Sequence, residues 1–500
     1  MTEPLLPVKN RTESFWLSQR DPELCKARTT ADLPRSADVV IVGSGLSGAL
    51  TSYLLLEEAK AKGMKLNVVM LEADEACGSA TARNGGHCKP VTFIGYNALK
   101  AKHGKDVANA LMQLEEGALE IYAAIVEKEK IECDLHVTRA FDMFFDKTDS
   151  EKSRGDFEAR RADWPEVFRK GDVRAVGSLQ EIEQVTGVKG AIWSASYPAG
   201  HLWPYMLATS LIRICIQRHG LNLQTYTPAL ELSRSASGPW SVRTPRGSIT
   251  APLVIATTNA YTASILPDFK SKIIPVRGTA SSITPSPSHS PGGIRGPLKY
   301  TYGFRHGTGD VDYMISRQGR KIPGRGDRSI ILGGAKGTFL HDHELWYNNI
   351  HDDQLMPEAR SYFERFMPER FADWNGDKRN VDYVWSGVLG YSSDFKPFVG
   401  EHPDKKGVLV CAGFTGHGMP QIPACATAIS ALAVNYLRDR RITPTAQEQF
   451  DNALPPPYRL TRERYDSKVN VIKEYMGQGG NAQGSIQTTD EAAMLVRAKL

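Results

Sequence analysis

Apolar residues fall along this chain in two rhythms, short unbroken runs and helical stripes. Positions 39–42, 68–71, 253–257 and 407–413 are continuous apolar runs of strand length, the signature of strands buried on both faces of a parallel sheet. Between them Leu111, Leu114, Ala118, Ile121 and Ile125 share one face of a helix-rich stretch over about 95–130. A second amphipathic helix over 207–219 stops before Gly220, and a strand follows at 221–225. Residues 240–244 and 249 onward form a hairpin about the Pro245-Arg246-Gly247 turn. Strand signals return at 313–316 and 329–332, helix signals at 356–367 and 424–437, and the Ser/Pro-rich stretch 284–293 is a loop.

The first apolar run enters Gly43-Ser44-Gly45-Leu46-Ser47-Gly48, a G-x-G-x-x-G turn followed by an apolar-periodic helix, and the second run ends on Glu72. Strand, glycine turn, helix and terminal acid together describe a dinucleotide-binding βαβ unit. Gly43 permits the sharp turn, Gly45 the approach of backbone to a pyrophosphate, and Gly48 close helix–strand packing, while Glu72 accepts ribose hydroxyls. Residues 407–419 repeat this logic: a buried strand, then Gly413-Phe414-Thr415-Gly416-His417-Gly418-Met419 turning into a helix whose positive end faces an electron-rich group.

With 500 residues, 41% of them hydrophobic, the chain is large enough for two cores. The 61 basic and 56 acidic residues leave a formal charge of +5 without any long basic run, which gives no case for nucleic acid. Seven cysteines, none in a C-x-x-C pair, argue against a disulfide framework and a zinc site. No apolar stretch approaches membrane-spanning length, so no membrane partner is expected. The final Ala498-Lys499-Leu500 differs from the peroxisomal S-K-L address by one small residue, and points to a peroxisomal import receptor as partner.

Four ordered blocks over about 14–437 resemble the FAD-dependent oxidoreductases of the D-amino-acid oxidase superfamily: the 43–48 turn with Glu72, the segment 78–87, residues 254–261 with 275–278, and 385–418. The resemblance implies an α/β fold, a Rossmann-like FAD-binding domain with a mostly parallel sheet and a mixed antiparallel α+β substrate domain. It divides the chain into an N-terminal arm (1–36), a discontinuous FAD domain (37–95, 196–275, 380–445), a substrate domain (96–195, 276–379) and a C-terminal extension (446–500). It further implies oxidation of a C–N bond in an amine or amino-acid-derived substrate, with oxygen as acceptor and hydrogen peroxide as product. A dehydrogenase or tailoring oxidase with another acceptor or substrate, and a flavin-binding module without turnover, remain the other readings.

By that resemblance FAD is held by Gly43, Gly45, Leu46, Ser47, Gly48, Glu72 and Ala73. Ser79, Ala80, Thr81, Arg83, Asn84, Gly85, Gly86 and His87 follow along the pyrophosphate and ring, with Ala229, Thr257, Asn259 and Gly387 elsewhere. Gly413, Thr415, Gly416, His417, Gly418 and Met419 then turn backbone amides toward the ring. His87, Lys336, Tyr391 and His417 are the candidate catalytic residues. His417 is either a charge partner for reduced flavin or a packing histidine, and Lys336 either helps oxygen accept an electron or is a solvated loop lysine. Tyr302, Tyr313, Trp385 and Tyr391 are candidate cavity walls. The flavin-tethering cysteine of the family's sarcosine-oxidase branch falls on Gly387, so FAD is expected to bind non-covalently. The lysine with which that branch partly holds the substrate carboxylate, just after the G-H-G turn, falls on Pro420, and its arginine in the pyrophosphate segment on Gly85 or Gly86. The R-N-G-G-H pattern is thus closer to the γ-glutamylputrescine-oxidase branch, whose substrate presents an amine without an adjacent carboxylate.

Overall fold

The computed structural model describes residues 5–235, 238–284, 298–307, 309–317, 329–371, 374 and 381–473. The loop 285–293 and the terminal tripeptide lie outside them. The four apolar runs form adjacent strands of one six-stranded sheet, in the order Phe398–Glu401, Val408–Ala412, Leu253–Ala256, Val39–Val42, Val68–Leu71, Asn222–Gln224. All neighbours are parallel except the edge strand Phe398–Glu401. Each of the four central strands is buried at every position, which is why they read as unbroken apolar runs rather than alternating ones.

Helix Leu46–Ala61 packs against Gly418–Asp439 and Pro204–His219, and the three share the largest hydrophobic cluster. Helix Gly418–Asp439 begins well before position 424, where the periodicity placed it, and carries Pro423 inside. Proline has no N–H to give to the carbonyl four residues back. The hydroxyl of Tyr122 donates to that carbonyl, Met419 O, at 2.8 Å and takes its place.

The helical stretch after position 95 is three helices, Tyr96–His103, Lys105–Glu116 and Ala118–Glu129, separated at Gly104 and Gly117. Trp240–Thr244 and Gly247–Ala251 pair as the expected hairpin, with Glu231–Arg234 added as a third strand. A second large sheet of nine strands is mixed. Ile273–Ile283 pairs antiparallel with both Val381–Ser392 and Ile330–Gly334; Asp310–Ser316, Thr301–Gly307, His136–Phe144, Trp193–His201 and His87–Cys88 follow in order, and Arg174–Val176 adds antiparallel to Trp193–His201. Segments 87–88, 196–201 and 381–392, which the resemblance assigned to the FAD domain, contribute strands to this larger sheet.

The N-terminal arm ties the two sheets together. Phe15 and Trp16 are buried, the Ser14 hydroxyl donates to Ala82 O and the Trp16 indole to Asn84 O. The Thr12 hydroxyl receives the Ser386 amide at 3.0 Å. Arg11 donates to Gly78 O and Ser79 Oγ and pairs with Asp74.

Candidate functional site

Between the two sheets lies a cavity whose walls come from segments hundreds of residues apart. Leu46, Ala80, Thr81, Arg83, Asn84, Gly85, His87 and Asn259 line one side. Lys336, Gly387, Tyr391, Thr415, Gly416, His417, Gly418 and Met419 line the rest. All four candidate catalytic residues therefore face the same space. Of the proposed aromatic walls, Tyr313 and Tyr391 line it. Tyr302 is buried in the core of the larger sheet, and Trp385 is buried with its indole donating to Arg83 O at 2.8 Å.

The glycine turn behaves as its spacing demands. Gly43 has φ +104, and a Cβ on Gly48 would lie 2.0 Å from Gly43 O. Thr257 holds this turn from the neighbouring strand, donating its hydroxyl toward Val42 O (2.8 Å) and Gly43 O (3.0 Å). The Leu46 amide gives its proton to Thr81 Oγ1. Among the described residues the amides of Gly45, Ser47 and Gly48 have no acceptor. The helix has no side-chain cap and no acid in its first turn. Glu72 accepts from the amide and hydroxyl of Ser44 and from the amide of Asp74.

The second helix start is similar. Helix Gly418–Asp439 has neither a capping side chain nor an acidic residue in its first turn. Not all of the turn's amides are available: Thr415 donates to Gly390 O and His417 to Phe414 O. Those of Gly416, Gly418 and Met419 have no acceptor among the described residues. The turn is held open by Asn259, whose side-chain oxygen accepts from Gly413 and Phe414, and by Ser392 N donating to Thr415 Oγ1.

Several expected cofactor residues have structural partners. The Arg83 guanidinium donates to Gly78 O and Ser386 O and pairs with Asp352 at 3.4 Å, both side chains 2% exposed. Burial pulls Arg83 down to about 10, and a guanidinium so placed needs its carboxylate there. Asn84 donates to Ala80 O and Thr81 O and accepts from the Gly86 amide. Gly86 (φ +68) abuts Leu202 O and Trp16, and a Cβ on Gly85 would meet the Tyr313 ring at 2.1 Å. Ser79 is taken by Arg11. Ala73 is half-buried, Gly413 has φ +81, and Ala229 lies in the core cluster with Val40 and Val69.

His417 is paired: its Nε2 lies 3.0 Å from Glu115 Oε2. Glu115, 5% exposed, also accepts from the Val91 amide and the Gln421 side chain. This carboxylate sits on the Leu111 helix stripe, and the sequence reading overlooked it. His87 is half-buried, with its Nε2 enclosed and unpartnered, and desolvation next to Lys89 pushes its imidazole well below the usual value, so it is neutral. The Lys336 carbonyl accepts from the amides of Phe339 and Leu340, while its ammonium has no hydrogen-bond or ion-pair partner among the described residues. Burial outweighs the attraction of Asp310 and Asp312 and lowers it to about 8. It faces the cavity rather than standing as a solvated loop lysine.

Two uncapped helix starts with unclaimed amides, converging through one cavity, suit the diphosphate and the electron-rich ring edge of FAD. The family described as DAO, FAD dependent oxidoreductase, matches residues 38–432. The chain belongs to that family. It is therefore an FAD-dependent oxidoreductase. Its relatives include glycine oxidase of Bacillus subtilis (strain 168), 21% identical over 81% of this chain and 94% of that protein. Gamma-glutamylputrescine oxidoreductase of Escherichia coli (strain K12) is 27% identical over 45% of this chain and 50% of its own length. The crystal structure of glycine oxidase from Geobacillus kaustophilus superposes with a TM-score of 0.61 at 19% identity, covering 86% of this chain and 99% of that one, which shows the shared fold.

In this oxidoreductase the amides of Gly45, Ser47 and Gly48 would hold the diphosphate and Glu72 the ribose. Gly416, Gly418 and Met419 would face the redox ring. Among the described residues no helix is long and apolar enough to cross a membrane, and no cluster of metal-ligating side chains occurs.

Proposed function

We propose that the protein is an oxidase that breaks a C–H bond next to nitrogen in an amine or amino-acid-derived substrate and forms hydrogen peroxide. When bound, FAD supplies the two-electron acceptor for a hydride and passes the electrons to oxygen. The chain does the rest. Gly416, Gly418 and Met419 present the positive end of a 22-residue helix to the side of the cavity where negative charge develops. Tyr313, Tyr391, Phe339 and Leu340 exclude water and hold the substrate's apolar body. The neutral His87 is placed to take a hydrogen bond from the substrate or cofactor.

The observation that carries the oxidase reading is Lys336, an ammonium without a partner in the same cavity as the helix amides. A fixed positive charge there stabilises the anion formed when oxygen accepts its first electron. The printed names of the relatives, a glycine oxidase and a γ-glutamylputrescine oxidoreductase, support an amine or amino-acid substrate. FAD is bound without a covalent tether in this reading, because Gly387 stands at the tether position and no cysteine lines the cavity.

An amine library screened aerobically for peroxide, and anaerobically with an artificial electron acceptor, tests the function. Peroxide from at least one amine is the expected result. Reduction of the artificial acceptor without peroxide in air makes the protein a dehydrogenase, and bleaching by no amine at all leaves a flavin-binding module.

A further inference from the structure

The N-terminal arm precedes the span matched by the family, which begins at 38, and residues 11–16 run alongside the cofactor segment 78–86 in the same direction. Arg11 donates to Gly78 O and Ser79 Oγ, Ser14 to Ala82 O at 2.6 Å, and the Trp16 indole to Asn84 O at 2.5 Å. Trp16 also fills the space beside Gly86, where a Cβ would lie 2.8 Å from its ring. Thr12 is the crossing point. Its hydroxyl donates to Asp352 O (2.8 Å) and accepts from the Ser386 amide (3.0 Å) and the Arg83 guanidinium (3.2 Å). One side chain thereby joins the cofactor segment to strand Val381–Ser392 of the larger sheet, next to Gly387 in the cavity wall.

The same segment faces the cavity with its other side, through Ala80, Thr81, Arg83, Asn84 and Gly85. Thr81 Oγ1 accepts the Leu46 amide at 2.8 Å, one residue from the unclaimed amide of Gly45. An arm that holds this segment from behind therefore reaches the diphosphate site through a single hydrogen bond. The closed arrangement is under-compensated by itself. Arg83 is 2% exposed with its carboxylate 3.4 Å away, and burial together with the like charge of Arg11 holds it below its ordinary value. Near them Asp352 Oδ1 and the Tyr261 hydroxyl are enclosed without a hydrogen-bond partner among the described residues. A guanidinium so placed and two unmet hydrogen bonds oppose closure. The negative charge of a diphosphate at the helix start favours Arg83 and offsets that cost.

We propose that residues 11–16 are a strap that closes over the cofactor segment together with FAD, with Thr12 as the positioning residue that couples the two. By reciprocity, the factor by which FAD favours the closed strap is the factor by which the closed strap tightens FAD. The strap governs cofactor retention whatever the substrate and the electron acceptor.

Release of FAD from diluted holoprotein, followed as the rise of flavin fluorescence, reads this coupling. Thr12→Val keeps the shape and loses the hydroxyl, and is expected to release FAD about 10-fold faster, as the loss of a hydrogen bond from a charged donor implies. Thr12→Ser should stay within about twofold of wild type. The thermal midpoint of Thr12→Val should fall more in FAD-saturated than in FAD-free protein. In wild type, trypsin should cut after Arg11, whose side chain is 5% exposed, about 10-fold faster in FAD-free protein that circular dichroism shows to be folded than in FAD-saturated protein. Unchanged release from Thr12→Val, or equal falls of the two midpoints, makes the arm a structural element only and overturns the strap. Equal cutting after Arg11 in the two states, including none in either, overturns it as well. Should Thr12→Val fail to fold, the wild-type cutting decides; should FAD-free protein unfold, the release rates decide.

Discussion

The side-chain oxygen of Asn259 accepts two consecutive backbone amides, Gly413 at 3.0 Å and Phe414 at 3.2 Å. The residue that ends the segment after strand Leu253–Ala256 thereby sets the turn after strand Val408–Ala412. Asn259 itself has φ +43, a left-handed conformation that asparagine tolerates better than most residues. Asn259→Leu strands both amides and should cost about 1–3 kcal/mol per lost acceptor in stability, together with weaker FAD retention. Asn259→Asp, which keeps the acceptor, should recover most of the loss. Thermal melting and FAD fluorescence titration of the two variants check this.

Gly45 separates the fold from the ligand. A Cβ there would meet only the Thr81 hydroxyl, at 3.1 Å, whereas one on Gly48 would lie 2.0 Å from backbone. Gly45→Val should leave a folded protein that no longer retains FAD, because the branched side chain fills the approach to the unclaimed amides. Gly48→Ala should fail to fold stably. Glu72→Gln should weaken FAD binding less than Gly45→Val. Circular dichroism alongside bound-flavin absorbance distinguishes these outcomes.

Lys336 makes reoxidation depend on pH. Burial lowers it to about 8, so the ammonium is charged below that pH and neutral above it. The rate of flavin reoxidation by oxygen should fall as pH rises through about 8, and Lys336→Met should be slow at every pH with its pH dependence gone. Flavin reduction by substrate should change little. Stopped-flow mixing of photoreduced enzyme with oxygen measures the step in isolation.

Glu115 joins His417 to the helix that carries Gln421. Glu115→Leu removes the acceptor of His417, the Gln421 side chain, the Val91 amide and the Tyr458 hydroxyl and should destabilise the protein by about 3 kcal/mol. Denaturant unfolding would show it as a lowered midpoint.

What could be read in advance follows from where each residue is buried. The parallel strands were legible because burial on both faces turns them into unbroken apolar runs. The two helix starts were legible because close backbone approach requires glycine at fixed spacing. Strand Trp193–His201 has no unbroken run and announces itself only by the alternation of Trp193, Ala195, Tyr197 and Ala199 with Ser194, Ser196 and Pro198, a signal that was passed over. The start of helix Gly418–Asp439 was hidden by Pro423, whose missing hydrogen bond is replaced by Tyr122 from a distant helix. The charged cluster of Lys89, Asp142, Tyr197 and Arg305 gave no spacing to recognise, because its members meet only through sheet order. One signal was present: Asp142 stands inside the apolar sequence Ala140-Phe141-Asp142-Met143-Phe144, where a charge demands a partner. Arg83 is a motif position that lines the cavity while its guanidinium already pairs with Asp352, a partner that no spacing announces.

The central claim is that the two uncapped helix starts hold a single dissociable FAD between them. Acid precipitation of the purified protein, with the flavin absorbance of supernatant and pellet measured against protein concentration, tests it most directly. The account predicts a yellow protein that releases its FAD to the supernatant in stoichiometric amount. A colourless protein that takes up no added FAD, or flavin that stays with the precipitate, would contradict it.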